Sequence, residues 1–157
     1  MTESEYWKIF TRRFNESRPS VFKVAEYLHR EKKLTVTIPA MQIAPKSVEA
    51  QNYLDAGDIQ ITTADGKKFI VDVKHKQVDF THFYDYPCSD IMIANVRAAD
   101  RVNPFAYFIV NRKCTHAFIA RGDTKKHWTK EPYGDKERGG QEEKYMCNKA
   151  LGEFVKL

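Results

Sequence analysis

Apolar residues recur along this chain at two different periods, and the switch between them divides it into helical ends and a stranded middle. In SEYWKIFTRRFNES, Tyr6, Ile9, Phe10 and Phe14 fall at helical spacing and give one apolar face. Arg18-Pro19-Ser20 interrupts that pattern, so two helices are expected, with Ser20 as the N-cap of the second. In VFKVAEYLHREKK, Val21, Val24 and Leu28 make a core stripe that Phe22 and Ala25 widen. LTVTIP then reads as a β-branched strand closed by Pro39, and residues 40–56 as a connector with a helical pattern over 48–54.

From Gly57 the period becomes two. GDIQITT and KKFIVDVKH flank Ala64-Asp65-Gly66, two strands around an Asp-Gly turn, which predicts a β-hairpin. IMIANV predicts another strand, 98–103 a helical turn before Pro104, and PFAYFIVN with THAFIA a second hairpin across Arg112-Lys113-Cys114. Residues 121–157 read as a basic tail ending in a short helix, KYMCNKALGEFVKL. Helices first, strands in the middle and a helix last predict a single α/β (or α+β) domain over residues 1–157, with a central mixed β-sheet flanked by helices.

Composition adds limits. The chain has 157 residues, enough for a substantial core, and its apolar runs, such as FAYFIV, are too short to span a bilayer. TESEYWKIF has acidic residues where a signal peptide would carry a basic region, so a cytoplasmic protein is expected. Cys88, Cys114 and Cys147 form no CxxC pair, and neither His82 with Cys88 nor His116 with Cys114 finds a second pair to complete a zinc tetrahedron. The net charge of +5 is unevenly spread. Residues 1–50 hold nine Lys/Arg against six Asp/Glu, 51–110 six against eight, and 111–157 eleven against seven. An acidic centre between basic flanks suits a metal site within a polyanion-binding surface.

The candidate chemistry lies in the central hairpin. Alternation puts Ile70, Asp72 and Lys74 on one face of their strand and Phe69, Val71 and Val73 on the other. In the partner strand Asp58 and Gln60 share a face, opposite Ile59 and Ile61. Pairing through the short turn brings Asp58 alongside Asp72 and Lys74. Two converging carboxylates repel unless a cation lies between them, and hard oxygen ligands suit Mg²⁺ or Mn²⁺. A lysine beside such an ion polarises water and stabilises developing phosphate charge. The pattern acid-x-Lys alone says little, since it recurs at Glu31-Lys33, Asp65-Lys67, Asp123-Lys125 and Glu142-Lys144. Only Asp72-Lys74 follows three apolar residues in a strand, with a Gly-Asp-Ile strand fourteen positions upstream.

GDIQI followed by FIVDVKHKQ resembles the core of the PD-(D/E)XK nuclease superfamily, over roughly residues 20–96. The resemblance implies a restriction-endonuclease-like core and divalent-metal-dependent phosphodiester hydrolysis, with DNA a more natural substrate than RNA. It implies that Asp58 and Asp72 hold Mg²⁺ or Mn²⁺ and that Lys74 assists the attacking water. Glu26 is the candidate for a further ligand from the preceding helix, with Glu16 and Glu49 as substitutes, and Gln77 matches a polar residue that some members carry after the lysine. Gly57 stands where the pattern has proline, and Asp72 where glutamate is commoner. Lys76, Arg97, Arg101, Lys125 and Lys126 are candidate nucleic-acid contacts, and a homodimer would suit cutting of both strands. His75 should point away from the site. The competing expectation is a non-enzymatic nucleic-acid-binding or protein-docking module on the same fold.

Overall fold

The computed structural model describes residues 1–40, 43–46, 57–137 and 139–157. Its first element is one helix, α1 (Glu3–Lys32), opened by a capping box in which the Thr2 hydroxyl accepts from Glu5 N–H and the Glu5 carboxylate accepts from Thr2 N–H. The expected break at Pro19 does not occur. A proline inside a helix removes one backbone bond and costs about 3 kcal/mol. Here contacts on both sides of it offset that cost. Ser20 is fully buried, its hydroxyl 2.8 Å from His75 Nδ1 and 3.4 Å from Cys114 Sγ, so it serves the packing of the helix on the sheet instead of an N-cap. Toward the start of α1, Arg12 and Arg13 bind Glu137 and Asp135, with Arg13 Nη1 3.0 Å from Asp135 Oδ2.

The strands form two sheets. The larger has the order β1 (Thr35–Thr37), β2 (Ile59–Thr62), β3 (Lys68–His75), β5 (Ala106–Val110), β6 (His116–Arg121), β9 (Glu153–Lys156). Its β3–β5 pair is parallel and its other pairs are antiparallel, so the sheet is mixed as expected. The connection from β3 to β5 carries β4 (Asp90–Asn95) and α2 (Val96–Val102). β4 does not join the large sheet; with β8 (Gln141–Asn148) and β7 (Thr129–Gly134) it forms a smaller one, in the order β4-β8-β7. The molecule is thus mixed α/β, with helices on a mixed multi-stranded sheet. Among the described residues no helix is long and apolar enough to cross a membrane.

Residues 141–157 overturn the expected basic tail and C-terminal helix. They form β8, a 3-10 turn over Lys149–Leu151 and β9, which borders the large sheet. The apolar positions of KYMCN satisfied a helical period, but Tyr145 and Cys147 alternate inward as strand residues. Gly152 then runs extended against Phe118, where a side chain would meet the Phe118 ring and the Ile119 carbonyl. The helical pattern over 48–54 lies outside the described residues.

Two apolar clusters sandwich the large sheet. On one face Val24, Tyr27 and Leu28 of α1 pack against Ile59, Ile61, Val71, Val73 and Phe108. Phe22, expected to widen that stripe, is 53% exposed, and Tyr27 takes its place in the core. On the other face Tyr107, Ile109 and Phe118 meet Ile91, Ile93, Tyr145 and Cys147 of the small sheet. The second cluster joins the two sheets.

The hairpin that carries the candidate site depends on two glycines of positive φ. Gly66 (φ 83°) closes the turn, its N–H 2.9 Å from the Thr63 carbonyl, with open space where a Cβ would go. Gly57 (φ 78°) leads into β2, and a Cβ there would overlap the Ile70 side chain. Gly66→Ala should therefore cost about 1 kcal/mol of conformational strain. Gly57→Ala, which adds steric overlap, should cost about 2–4 kcal/mol. Urea unfolding of the two variants checks this; equal losses would show that Ile70 does not confine residue 57.

Candidate active site

β3 lies between β2 and β5, so both of its edges are paired. Val71 and Val73 pack toward α1. Asp72 and Lys74 take the opposite face, as the alternation predicts. There they line a cleft of about 230 Å³ with Met92, Ala94, Asn95, Ala98, Val102 and Tyr107. The β3–β5 register sets Asp72 beside Tyr107 and Lys74 beside Ile109. The cleft therefore opens between the large sheet and the β4–α2 connection.

The pairing of β2 with β3 stops at Ile59–Val71, and the Val73 N–H just beyond is taken by Asp58 Oδ2 at 2.8 Å. That bond fixes Asp58 at the entry to β2, where the charge of Asp72 acts on it. Lys74 Nζ lies 2.7 Å from Asp72 Oδ2. Asp72 is buried, whereas the Lys74 side chain is 41% exposed and reaches the open part of the cleft. The three residues expected to act together are together.

Electrostatics follow from this geometry. Burial and the neighbouring Asp72 carboxylate raise the Asp58 carboxyl from its ordinary 3.8 to about 7, although the Val73 N–H and Lys74 favour its charged form. At neutral pH Asp58 therefore keeps its proton for part of the time. A divalent cation satisfies the same electrostatic need, and the all-oxygen donor pair suits Mg²⁺ or Mn²⁺, with water completing the coordination. Among the described residues no cluster of three or more His, Cys, Asp or Glu side chains forms.

Glu26 does not join the pair. It lies on the exposed side of α1, bound to Arg30 at 3.2 Å and Lys23 at 3.9 Å, and α1 packs on the face of the sheet opposite Asp72. Glu16 is on the same helix, 3.8 Å from Arg12, and Glu49 lies outside the described residues. His75 points away from the cleft, as expected, toward Ser20, and burial lowers its pKa.

The expected nucleic-acid contacts divide. Lys76 is half-buried and lines the cleft; burial, Lys74 and Lys144 lower its pKa to about 8. Gln77 is exposed just past β3, with its carbonyl 2.8 Å from Arg112 Nη2. Arg97 and Arg101 are exposed on α2, whose Ala98, Ala99 and Val102 line the cleft. Lys126 is exposed on a 3-10 turn, whereas Lys125 is occupied by Asp100 at 3.0 Å and Asn103 at 3.1 Å. Lys125 thus braces α2. The residue sequence reading missed is Lys144, which enters the cleft from β8. Its signal was the alternation in QEEKYMCN, masked by a helical reading of the same residues.

Compared with protein-family models, with curated proteins and with solved structures, the chain matches none of them.

The raised Asp58 pKa gives a signed pH dependence. Between pH 3.8 and about 7 the folded chain keeps a proton that the unfolded chain has lost. Metal-free stability should therefore fall as pH rises through that window, by at most about 4 kcal/mol for this group. Asp58→Asn should remove that component. Thermal melts in EDTA from pH 4 to 8 check it: an equal slope in wild type and variant would exclude a raised Asp58 pKa. Added Mg²⁺ or Mn²⁺ should raise the wild-type Tm more at pH 8 than at pH 5, and have little effect on the variant.

Proposed function

We propose that this protein is a divalent-metal-dependent nuclease of the PD-(D/E)XK kind, with DNA as its substrate. The observation that carries the reading is Asp58 placed where the Asp72 charge acts on it, with Lys74 Nζ 2.7 Å from Asp72 on the cleft wall. A fold of this mixed α/β kind, in which acid-x-Lys stands on a central strand and a second acid enters from its hairpin partner, supports a restriction-endonuclease-like core.

Asp58 and Asp72 would hold Mg²⁺ or Mn²⁺. When bound, such an ion supplies Lewis-acid stabilisation of the phosphate and lowers the pKa of water. The chain's own residues do the rest. Asp72, held by Lys74, keeps its carboxylate directed into the cleft. Asp58, fixed by the Val73 N–H, would offer its carboxylate to the cation once deprotonated. Lys74 reaches the open side, where its ammonium orients the attacking water and stabilises charge on the phosphate oxygens. Hydrolysis runs by in-line attack of water on phosphorus, the water giving up a proton to solvent; the P–O bond to the leaving strand breaks, and that oxygen takes a proton from solvent or a cleft lysine. Arg97, Arg101, Lys126 and Gln77, all exposed, would serve as contacts for the nucleic-acid backbone and give salt-sensitive binding. Cutting both strands of a duplex would engage a second copy in a symmetric homodimer.

Single-stranded, duplex and branched DNA and matching RNA, each with Mg²⁺, Mn²⁺ or EDTA, test the reading. Cleavage should require metal and fall at least about a hundredfold in Lys74→Ala and in Asp72→Asn. Binding without cutting, indifferent to EDTA and to both substitutions, would make the protein a binding module.

A further inference from the structure

The cleft holds more positive charge than the carboxylate pair needs. Lys74, Lys76 and Lys144 all line it, from β3, the end of β3 and β8. Lys74 is matched by Asp72 at 2.7 Å and Lys144 by Glu142 at 3.0 Å. Lys76 differs. Among the described residues it makes no ion pair, and it lines the same small cleft as the other two lysines. A half-buried ammonium sharing so small a space with two others is costly, and an anion relieves such crowding.

The surroundings limit the anion's size. Ile93, Ala94, Ala98, Ala99, Val102 and Pro104 make apolar walls, and the volume of about 230 Å³ lies below the roughly 300 Å³ at which pockets for drug-sized ligands begin. A single phosphate group fits these limits; a stacked base pair does not. Lys144 is held in place for it: its side chain is 18% exposed and its amine lies 5.2 Å from the Tyr133 ring centre. The hairpin loop after β7 is anchored to α1 through Asp135 and Glu137, so β8 presents Lys144 from a braced position.

We propose that Lys76 and Lys144, with Lys74 at their edge, form a phosphate-binding subsite beside the Asp58–Asp72 pair. The subsite takes one phosphate of a single strand, next to the one that reacts. This rests on the nuclease reading for its biological substrate, but phosphate binding itself does not. The phosphate has two possible sources, a terminal monoester or an internal diester of the strand.

Metal-free binding separates these cases. In EDTA, titrations with inorganic phosphate and with short single-stranded oligonucleotides ending in 5′-phosphate, 3′-phosphate or hydroxyl groups are followed by calorimetry. Lys76→Met and Lys144→Met, which keep volume and remove charge, should each weaken binding about tenfold, while Lys76→Arg retains it and the exposed turn variant Lys67→Met leaves it unchanged. Circular dichroism melts confirm that the variants fold. Preference for one phosphorylated end identifies a terminal monoester, and equal binding of all ends identifies an internal diester. Affinities unchanged in both Met variants would overturn the subsite, even if metal-dependent cleavage needs Lys74. Loss of phosphate binding in both, with no cleavage of any nucleic acid, would leave the subsite standing and remove the nuclease.

Discussion

A carboxylate buried on a central strand has to be neutralised where it stands, and the organisation of this molecule follows from that constraint. Asp72 is buried in the middle of β3, flanked by β2 and β5. An isolated charge there would cost several kcal/mol. Lys74, two residues along the same face, supplies the partner charge at 2.7 Å. The positive φ of Gly57 and the bond from Val73 N–H set Asp58 near Asp72. The site is therefore continuous with the packing of the sheet.

The connection between the parallel strands β3 and β5 converts that charged strand into a cleft. It leaves the large sheet, adds β4 to a separate sheet and returns through α2, so that Met92, Ala94, Ala98 and Val102 form a wall opposite Asp72 and Lys74. Lys125 and Tyr145 both bind Asp100 on α2, which ties that wall to the small sheet. Exposed ion pairs are weak one by one, but a carboxylate shared between two partners from different elements constrains orientation more than it adds stability.

The same logic explains α1. Its second half is held by the apolar face of the large sheet, whereas its first half carries no buried residue and is tied by Arg12 and Arg13 to the loop after β7. A helix held at both ends can tolerate Pro19 in its interior. The arrangement also links the small sheet to the far face of the large one, since α1 packs on the side opposite the cleft.

Local pattern was enough for whatever depends on nearest neighbours. Strand alternation placed Asp72 and Lys74 on one face and Val71 and Val73 on the other, and the Asp-Gly turn set the register that brings Asp58 to them. The second hairpin, β5–β6, was equally legible, because its apolar runs and turn lie within sixteen consecutive residues. What failed was every assignment that distant contacts decide. Pro19 reads as a helix end until Ser20 is buried against His75, fifty-five residues away. Glu26 reads as a ligand until α1 is seen to pack on the wrong face. Residues 141–148 fit two periods, and only pairing with β4 and β7 chose the strand that delivers Lys144 to the cleft. The sequence by itself determined the carboxylates and lysine of one hairpin, since alternation and a tight turn are local geometry. The tertiary structure alone decided which face that hairpin turns to a cleft and which remote cations share it, because those choices belong to packing between elements far apart in the chain.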